Sequence, residues 1–464
     1  MYPGDMGQVQ AFEDIWVWGP HCDSALEEAG PGMDMLRALV DGMGKIQMAA
    51  YLVMMTPRLA ALHSILKPTG SMYLHCDPTA SHYLKVILDN IFGHRHQQHR
   101  KEVIWKRTSS HNDSRTMGAV HDVLLYYPKG RTFTFNPQYG PYDPDYIESH
   151  YRHQDEDGRL WQDGDLTAKG LSGGGYEYAY KGKHSLWRVP PHRMAELDAQ
   201  GRLYFTRTGG IRFKRYLDEG KGQPISDVWT DIPPVNSQAR EQLPYQTQKP
   251  LDLLNRIVRQ SSNPGDVILD PFCGCGSSVA AAENLNRGWI GIDITYAAIA
   301  AIRERFRRER VDIWQDVEIV NKPETMQDVD RLLQPESPLH PRKEFEKFCV
   351  ASIGGLPNEK MGADGGVDGR IPLREQKRAN VSVKSGNVTV RDMRDLKGTL
   401  DRKNVSGVFI TRQSPTRPMR ELASTSGIVQ LEAGLIPPFP RMQILTLDEI
   451  LNGKRPELPY AEAA

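Results

Sequence analysis

The stretch DVILDPFCGCGSSVAAAENLNRGWIGIDI, residues 266 to 294, constrains this chain more than any other. Val267-Ile268-Leu269 is a short apolar run ending on Asp270, and a turn containing Gly274 and Gly276 follows. Ser277 then opens an alanine-rich segment, and Trp289-Ile290-Gly291-Ile292 is a second apolar run ending on Asp293. Strand, glycine turn, helix and second strand make half of a nucleotide-binding α/β layer. Glycines let the backbone approach a ligand, and an acid at the end of the next strand can bind ribose hydroxyls. A dinucleotide fingerprint requires glycine or alanine three residues after Gly276, where the sequence has Val279. The pattern is a poor match to that class.

The rest of the chain supplies context for such a layer. At 464 residues it is too long for one compact domain. No run approaches the ~20 apolar residues of a membrane span, and the first ten residues show neither an apolar core nor a cationic leader. Five cysteines in no regular framework fit reduced thiols in a cytoplasmic protein. Residues 45 to 66 have helical apolar spacing and stop at Lys67-Pro68-Thr69-Gly70. Ser71 to Cys76 reads as a buried strand, Ala80 to Phe92 as a helix, and Ile104-Trp105 and Val123 to Tyr127 as further strands. From about 130 to 240 the texture turns irregular and rich in glycine, tyrosine, arginine and proline, as on a recognition surface.

Net charge is zero, so bulk electrostatics does not mark a nucleic-acid binder. Local charge is more telling. Arg107 lies in one basic stretch, and Arg212, Lys214 and Arg215 lie in another beside Phe213 and Tyr216. Basic side chains interleaved with aromatics suit phosphate contacts and stacking, although a solvated basic face has the same composition. Cys273 and Cys275 have no second pair near them, which argues against zinc. His94, His96 and His99 sit in a basic loop and read as phosphate-facing or solvated.

Taken as a whole, residues 266 to 294 resemble motif I of the DNA amino-methyltransferases, the D-P-F-x-G-x-G pattern. TQKPLDLLNRIVRQSSNPGD just upstream resembles motif X of the beta class of that family, in which motif X and motif I follow the recognition region. LHCDPTASHYLKVILDNIFG, HDVLLYYPKG and WTDIPPVNSQARE resemble further segments of the class, so the likeness covers about residues 8 to 310. It implies a Rossmann-like, S-adenosylmethionine-dependent fold acting on double-stranded DNA. By the same resemblance Thr247, Lys249, Pro250, Asp270, Phe272, Gly274, Gly276 and Asp293 are the cofactor-site candidates.

Methyl transfer to an exocyclic amine needs acceptors that orient the amino group toward the sulfonium methyl. The family supplies them from a D/N/S-P-P-Y/F/W tetrapeptide whose aromatic stacks on the flipped base. No stretch of this chain qualifies. Asp231-Ile232-Pro233-Pro234 and Ile436-Pro437-Pro438-Phe439 depart from the pattern, and Asn136-Pro137-Gln138-Tyr139 comes nearest. In the family the tetrapeptide precedes the segment that Val9 to Gly19 resembles. The expectation is therefore a chain without its first strand, with an unpaired edge at Val267 to Asp270, poor folding and no methyl transfer by itself.

Residues 341 to 460 contain PRKEFEKFCVASIGG, KMGADGGVDGRI and ANVSVKSG, which resemble the Mrr-like branch of the PD-(D/E)XK nucleases. The resemblance places Glu346, Asp368 and Lys384 at the nuclease positions, with magnesium as the cation. Ser382 stands where a glutamate or glutamine is expected. That removes a metal ligand and favours a DNA-binding or specificity role over cleavage.

The expected organisation is a catalytic half over 1–130, a target-recognition region over 131–240, a cofactor-binding half over 241–310, a linker over 311–340 and a nuclease-type domain over 341–460. The function expected is site-specific methylation of adenine N6 or cytosine N4 in DNA, within a restriction-modification or epigenetic system. A cofactor- and DNA-binding remnant and a DNA-cutting restriction component are the competing readings, and a homodimer is left open.

Overall fold

The computed structural model describes residues 17–93, 95, 97–109, 117–168, 174–236, 239, 241–243, 245, 248–309, 316–333, 341–358, 366–431 and 436–461. Thr247, His94, His96 and most of the segment from Val9 to Gly19 lie outside them. The chain divides into two compact units, one formed by 1–136 with 227–464 and the other by Pro137–Ser226.

The first unit begins with three helices, α1 (Pro20–Glu27), α2 (Met33–Met43) and α3 (Gln47–Ile65). They are followed by β1 (Ser71–Cys76), α4 (Pro78–Ile91), β2 (Lys101–Lys106) and β3 (His121–Pro128). Asp77 caps α4 by accepting from the Ala80 amide at 3.0 Å, which satisfies one of the orphan donors of the first turn. The inward face of α4 places Leu84, Ile87 and Leu88 in a core shared with Leu36, Leu52, Leu59 and Leu125. Each such side chain contributes about 1.5–3 kcal/mol relative to exposure.

The sheet formed there is not a fully wound parallel layer. Its order is β1-β3-β2-β10, where β10 is Val228–Trp229. β3 runs antiparallel to both β1 and β2, and β10 joins β2 in parallel. β1 and β2 run in the same direction and are joined through the crossover helix α4, and β3 lies between them, antiparallel to both.

The second unit carries more regular structure than its composition suggests. It holds β4 (His153–Gln154), β5 (Leu160–Asp165), a hairpin of β6 (Tyr176–Tyr180) and β7 (Lys183–Trp187), α5 (Pro191–Ala199), β8 (Leu203–Phe205) and β9 (Ile211–Tyr216). Four of these strands form an antiparallel sheet ordered β4-β5-β9-β8. Trp187, Met194, Leu197, Leu203 and Ile211 form its core. Strands of two to six residues with polar outward positions leave little periodic signal in the sequence.

Back in the first unit, α6 (Leu251–Ser261) leads into β11 (Val267–Asp270), α7 (Ser277–Asn284), β12 (Gly288–Gly291) and α8 (Tyr296–Glu309). β11 and β12 pair in parallel, as a strand-helix-strand unit must. Among the described residues β11 has no strand on its other edge. Val267, Ile290, Ile292 and Ile294 are all more than half exposed. Asn136, the first residue of the nearest tetrapeptide candidate, gives its side-chain amide to the carbonyls of Arg259 and Ser262 at the end of α6. That is the work of a helix C-terminal cap. Asp231 is likewise taken, by a forked pair to Arg256.

The remaining residues add α9 (Met326–Leu332), α10 (Pro341–Ser352), β13 (Leu356–Pro357), β14 (Gly369–Pro372), β15 (Arg378–Lys384), α11 (Val390–Gly398), β16 (Asn404–Thr411), α12 (Arg417–Thr425), β17 (Met442–Thr446) and α13 (Leu447–Leu451). The five strands form one sheet in the order β13 to β17, with β15, β16 and β17 parallel. One face is packed by Phe345, Phe348 and Ile450, the other by Met393, Leu396 and Met419. Helices on both faces of a largely parallel sheet make this part α/β as well. Tyr296 of α8 meets Phe348 of α10 with ring centroids 5.2 Å apart.

Candidate functional site

The glycine turn after β11 is built around two carboxylates. Asp270 accepts from the Phe272 amide at 3.0 Å and from the Ser278 hydroxyl. Asp293 accepts from the Gly274 amide and, on its other oxygen, from the Thr295 amide, each at 3.0 Å. The acid at the end of the second strand thus holds the turn after the first strand open. Burial pushes the Asp293 carboxyl up, against the three backbone amides that favour its ionised form.

Gly276 needs its identity. Its φ is 72°, and a Cβ there would lie 2.6 Å from Ile302 Cγ1. Gly274, at φ 49°, faces the Tyr245 ring, which a Cβ would meet at 3.0 Å. Ser277 starts α7 directly after the turn, so the free amides of that helix point back at the loop, where an anionic or electron-rich ligand group is favoured. Phe272 is half-exposed at the mouth of the turn.

The motif X segment docks on the same place. The Lys249 backbone carbonyl accepts from the Ser277 hydroxyl at 2.9 Å, and Pro250 occupies the N-cap of α6. Burial holds the Lys249 ammonium below its ordinary value, with the Arg107 cation acting in the same direction and Asp122 opposing. Lys249, Pro250, Asp270, Gly274, Gly276 and Asp293 are therefore gathered around one loop, with Phe272 at its rim.

Several members were missed in the sequence. Arg305, 1% exposed, donates from Nε to the Cys275 carbonyl at 3.0 Å and from Nη2 to the Ser277 hydroxyl at 3.1 Å. It sits in RERFRRER, a run that resembles a solvated charged face, and nothing local distinguishes it from its neighbours. Ser277 and Ser278 had a faint signal, being the first polar side chains after the glycines. Cys273 and Cys275 are buried free thiols, and no group of three metal-ligating side chains exists among the described residues.

In the second unit the basic stretch divides by role. Lys214 is already held by both oxygens of Asp155, at 2.8 and 3.0 Å, and lies over the Trp161 ring. Arg212 pairs with Asp163 at 2.7 Å while remaining half-exposed, and Arg215 is exposed. Arg107, in the first unit, sits 3.2 Å from Asp122.

In the C-terminal sheet, Asp368 accepts from the Val383 amide at 2.7 Å, and Ser382 Oγ lies 3.5 Å from the same oxygen. Burial, then the nearby Glu346 charge, pushes the Asp368 carboxyl up to about 6, with Lys384 and Lys343 opposing. The three sequence candidates are brought together, and Lys343 joins them, 3.3 Å from Glu346. Two carboxylates, one already paired with lysine, and a buried serine in the third position make a poor cage for a divalent cation.

A DNA methylase family model matches residues 42–304, and a restriction endonuclease model matches residues 342–434. The chain is 32% identical over 265 residues to the Type II methyltransferase M.EcaI of Enterobacter cloacae, covering 56% of this chain and 58% of that one. It is 30% identical to the Type III restriction-modification enzyme StyLTI Mod subunit of Salmonella typhimurium, covering 59% and 44%. The chain therefore spans about half the length of these relatives. Among solved structures, the cytosine-N4-specific PvuII DNA methyltransferase aligns at 12% identity and a TM-score of 0.32, over 57% of this chain and 73% of that one. The M1.HpyAVI complex with SAM aligns at 15% identity and a TM-score of 0.28, over 54% and 81%.

Proposed function

The chain belongs to the DNA methylase family, and from that membership we propose that it binds S-adenosylmethionine on the Gly274–Gly276 turn and presents the methyl group to an exocyclic amine of DNA, adenine N6 or cytosine N4. The observation that carries this reading is the Asp293 carboxylate bridging the Gly274 and Thr295 amides at the mouth of the turn. A ribose hydroxyl can share that carboxylate, and the methionine end can take the amides at the start of α7. The cofactor supplies an electrophilic methyl group on sulfur. The residues of this chain hold it, exclude water and orient it.

Asp293→Ala is expected to weaken binding by roughly 1–3 kcal/mol, the worth of charge-assisted hydrogen bonds to the ribose. Calorimetry with S-adenosylmethionine on the folded variant checks this, and unchanged affinity removes Asp293 from the site. The sign of the pH dependence follows from burial. The ionised carboxylate is the acceptor, and its pKa is raised, so affinity is full above that raised value and falls as pH drops through it. Asp293→Asn should bind weakly with no such fall.

DNA is the substrate on this reading, and Arg212 and Arg215 are its electrostatic contacts in the second unit. Replacing both with alanine should lower DNA affinity and flatten its dependence on salt, by about one counterion per lost phosphate contact. Lys214→Ala should instead lower the melting temperature, because it removes the cation from Asp155 and leaves that carboxylate only the Trp161 and Tyr216 donors. An unchanged salt slope in the double variant makes the stretch ordinary solvated surface.

Ser382 and the Lys343–Glu346 pair favour a phosphate-contacting role for the C-terminal domain over magnesium-dependent cleavage. Unmethylated plasmid incubated with the protein and magnesium should remain supercoiled. Nicking that disappears in Asp368→Ala overturns this and makes the chain a restriction component.

A further inference from the structure

The catalytic-half sheet carries a polar cluster that the cofactor site does not use. The register aligns Trp105 with Asp122 and His75 with Leu124, so His75, Trp105 and Asp122 project from one face at one end of the sheet. His75 Nε2 lies 2.9 Å from Asp122 Oδ2, and the Trp105 ring stands edge-on to the imidazole, centroids 5.7 Å apart. Trp105 is fixed in turn by its Nε1 donating to the Ile232 carbonyl at 2.9 Å. Arg107 Nε lies 3.2 Å from the other Asp122 oxygen, and its side chain is 41% exposed. Lys249 adds a buried cation beside Asp122, and its carbonyl is bonded to Ser277 at the start of α7. The cluster and the cofactor turn thus share a residue.

Asp122 fixes the chemistry of what this end of the sheet presents. A carboxylate on Nε2 places the ring proton there, which leaves Nδ1 as an acceptor. Burial, with the charges of Lys249 and Arg107, keeps the imidazole neutral, against the pull of Asp122. No described residue is bonded to Nδ1, and the ring retains partial exposure. Arg107 offers Nη donors beside it. An acceptor and a donor set on one carboxylate match the N–C–N edge of adenine or cytosine, where an amine donates and the adjacent ring nitrogen accepts.

We propose that His75, Arg107 and Asp122 form the pocket for a nucleotide extruded from DNA, with His75 Nδ1 accepting a hydrogen from the target amine and Arg107 donating to the neighbouring ring nitrogen. This rests on the methylase reading above and names the part of the site that takes the acceptor base. Holding one N–H on Nδ1 turns the amine lone pair away from His75. As the nitrogen–methyl bond forms and the sulfur–methyl bond breaks, sulfur keeps the electron pair and the amine proton leaves through the imidazole to solvent. Asp122 is a positioning residue, since it acts through the ring.

The test is equilibrium binding of the full chain, saturated with S-adenosylhomocysteine, to short duplexes that differ by one unpaired nucleotide. An unpaired nucleotide has already lost the pairing that extrusion costs, so no recognition sequence is required. The protein should prefer an unpaired adenine or cytosine over an unpaired thymine or an abasic bulge by about tenfold, the worth of one good hydrogen bond. His75→Ala should abolish the preference, and His75→Gln, which keeps an acceptor, should restore part of it. Arg107→Ala, at a half-buried position, gives the same loss of preference should His75→Ala fold poorly. A wild-type protein without the preference, or a preference that survives both alanine variants, overturns the pocket. Absence of S-adenosylhomocysteine binding in the same samples overturns the methylase reading itself.

Discussion

Arg305→Ala is expected to destabilise the first unit by about 3–5 kcal/mol, the cost of removing one member of a buried, hydrogen-bonded charge network. The guanidinium is almost wholly enclosed and ties the Cys275 carbonyl and the Ser277 hydroxyl to α8. It also lies 3.6 Å from the partly buried Glu309, so alanine removes that ion pair as well. Native domains hold only about 5–15 kcal/mol in reserve, so the variant should melt at a much lower denaturant concentration. Arg305→Lys keeps the charge but loses the planar fork, and should fall between the two. A guanidinium titration of the three proteins checks the order, and wild-type behaviour in the alanine variant removes Arg305 from the frame of the cofactor turn.

Gly276→Ala should also have a large effect, through the backbone. The residue caps α7 in the left-handed region, where a side chain costs about 1 kcal/mol. The new Cβ must displace the Ile302 side chain by about 1 Å in a packed core, which adds about 1–3 kcal/mol. Relief comes by moving the turn, and the turn is the proposed cofactor seat. Cofactor affinity should therefore drop along with stability, whereas Gly265→Ala, at a positive φ but in open space, should cost stability alone. Equal cofactor affinity in all three proteins contradicts the placement.

The parts of the fold that local chemistry dictates were legible in the sequence. The β11–α7–β12 unit is specified by residues within one short window, because the apolar runs, the two glycines and the terminal acids are all local. The helix at Gln47–Ile65 and the strand at Ser71–Cys76 likewise follow from apolar spacing and the Lys67-Pro68-Thr69-Gly70 stop. What escaped depends on partners distant in the chain. Lys214 reads as a DNA contact until Asp155 is placed beside it. His75 and Asp122 meet only because β1 and β3 pair. Arg305 is one arginine among many until packing encloses it. The small antiparallel sheet of the second unit escaped because its strands are short and half-exposed, so no alternation builds up.

The central claim is the seat of S-adenosylmethionine, and the most direct measurement is where the bound cofactor crosslinks. Irradiating the full chain with radiolabelled S-adenosylmethionine and mapping labelled peptides should place the label on peptides containing Lys249–Pro250 or Asp270–Gly276. Unlabelled cofactor should compete it away, and Asp293→Ala should reduce it in proportion to the lost affinity. Competable label confined to another part of the chain, or no competable label at saturating cofactor, contradicts the account.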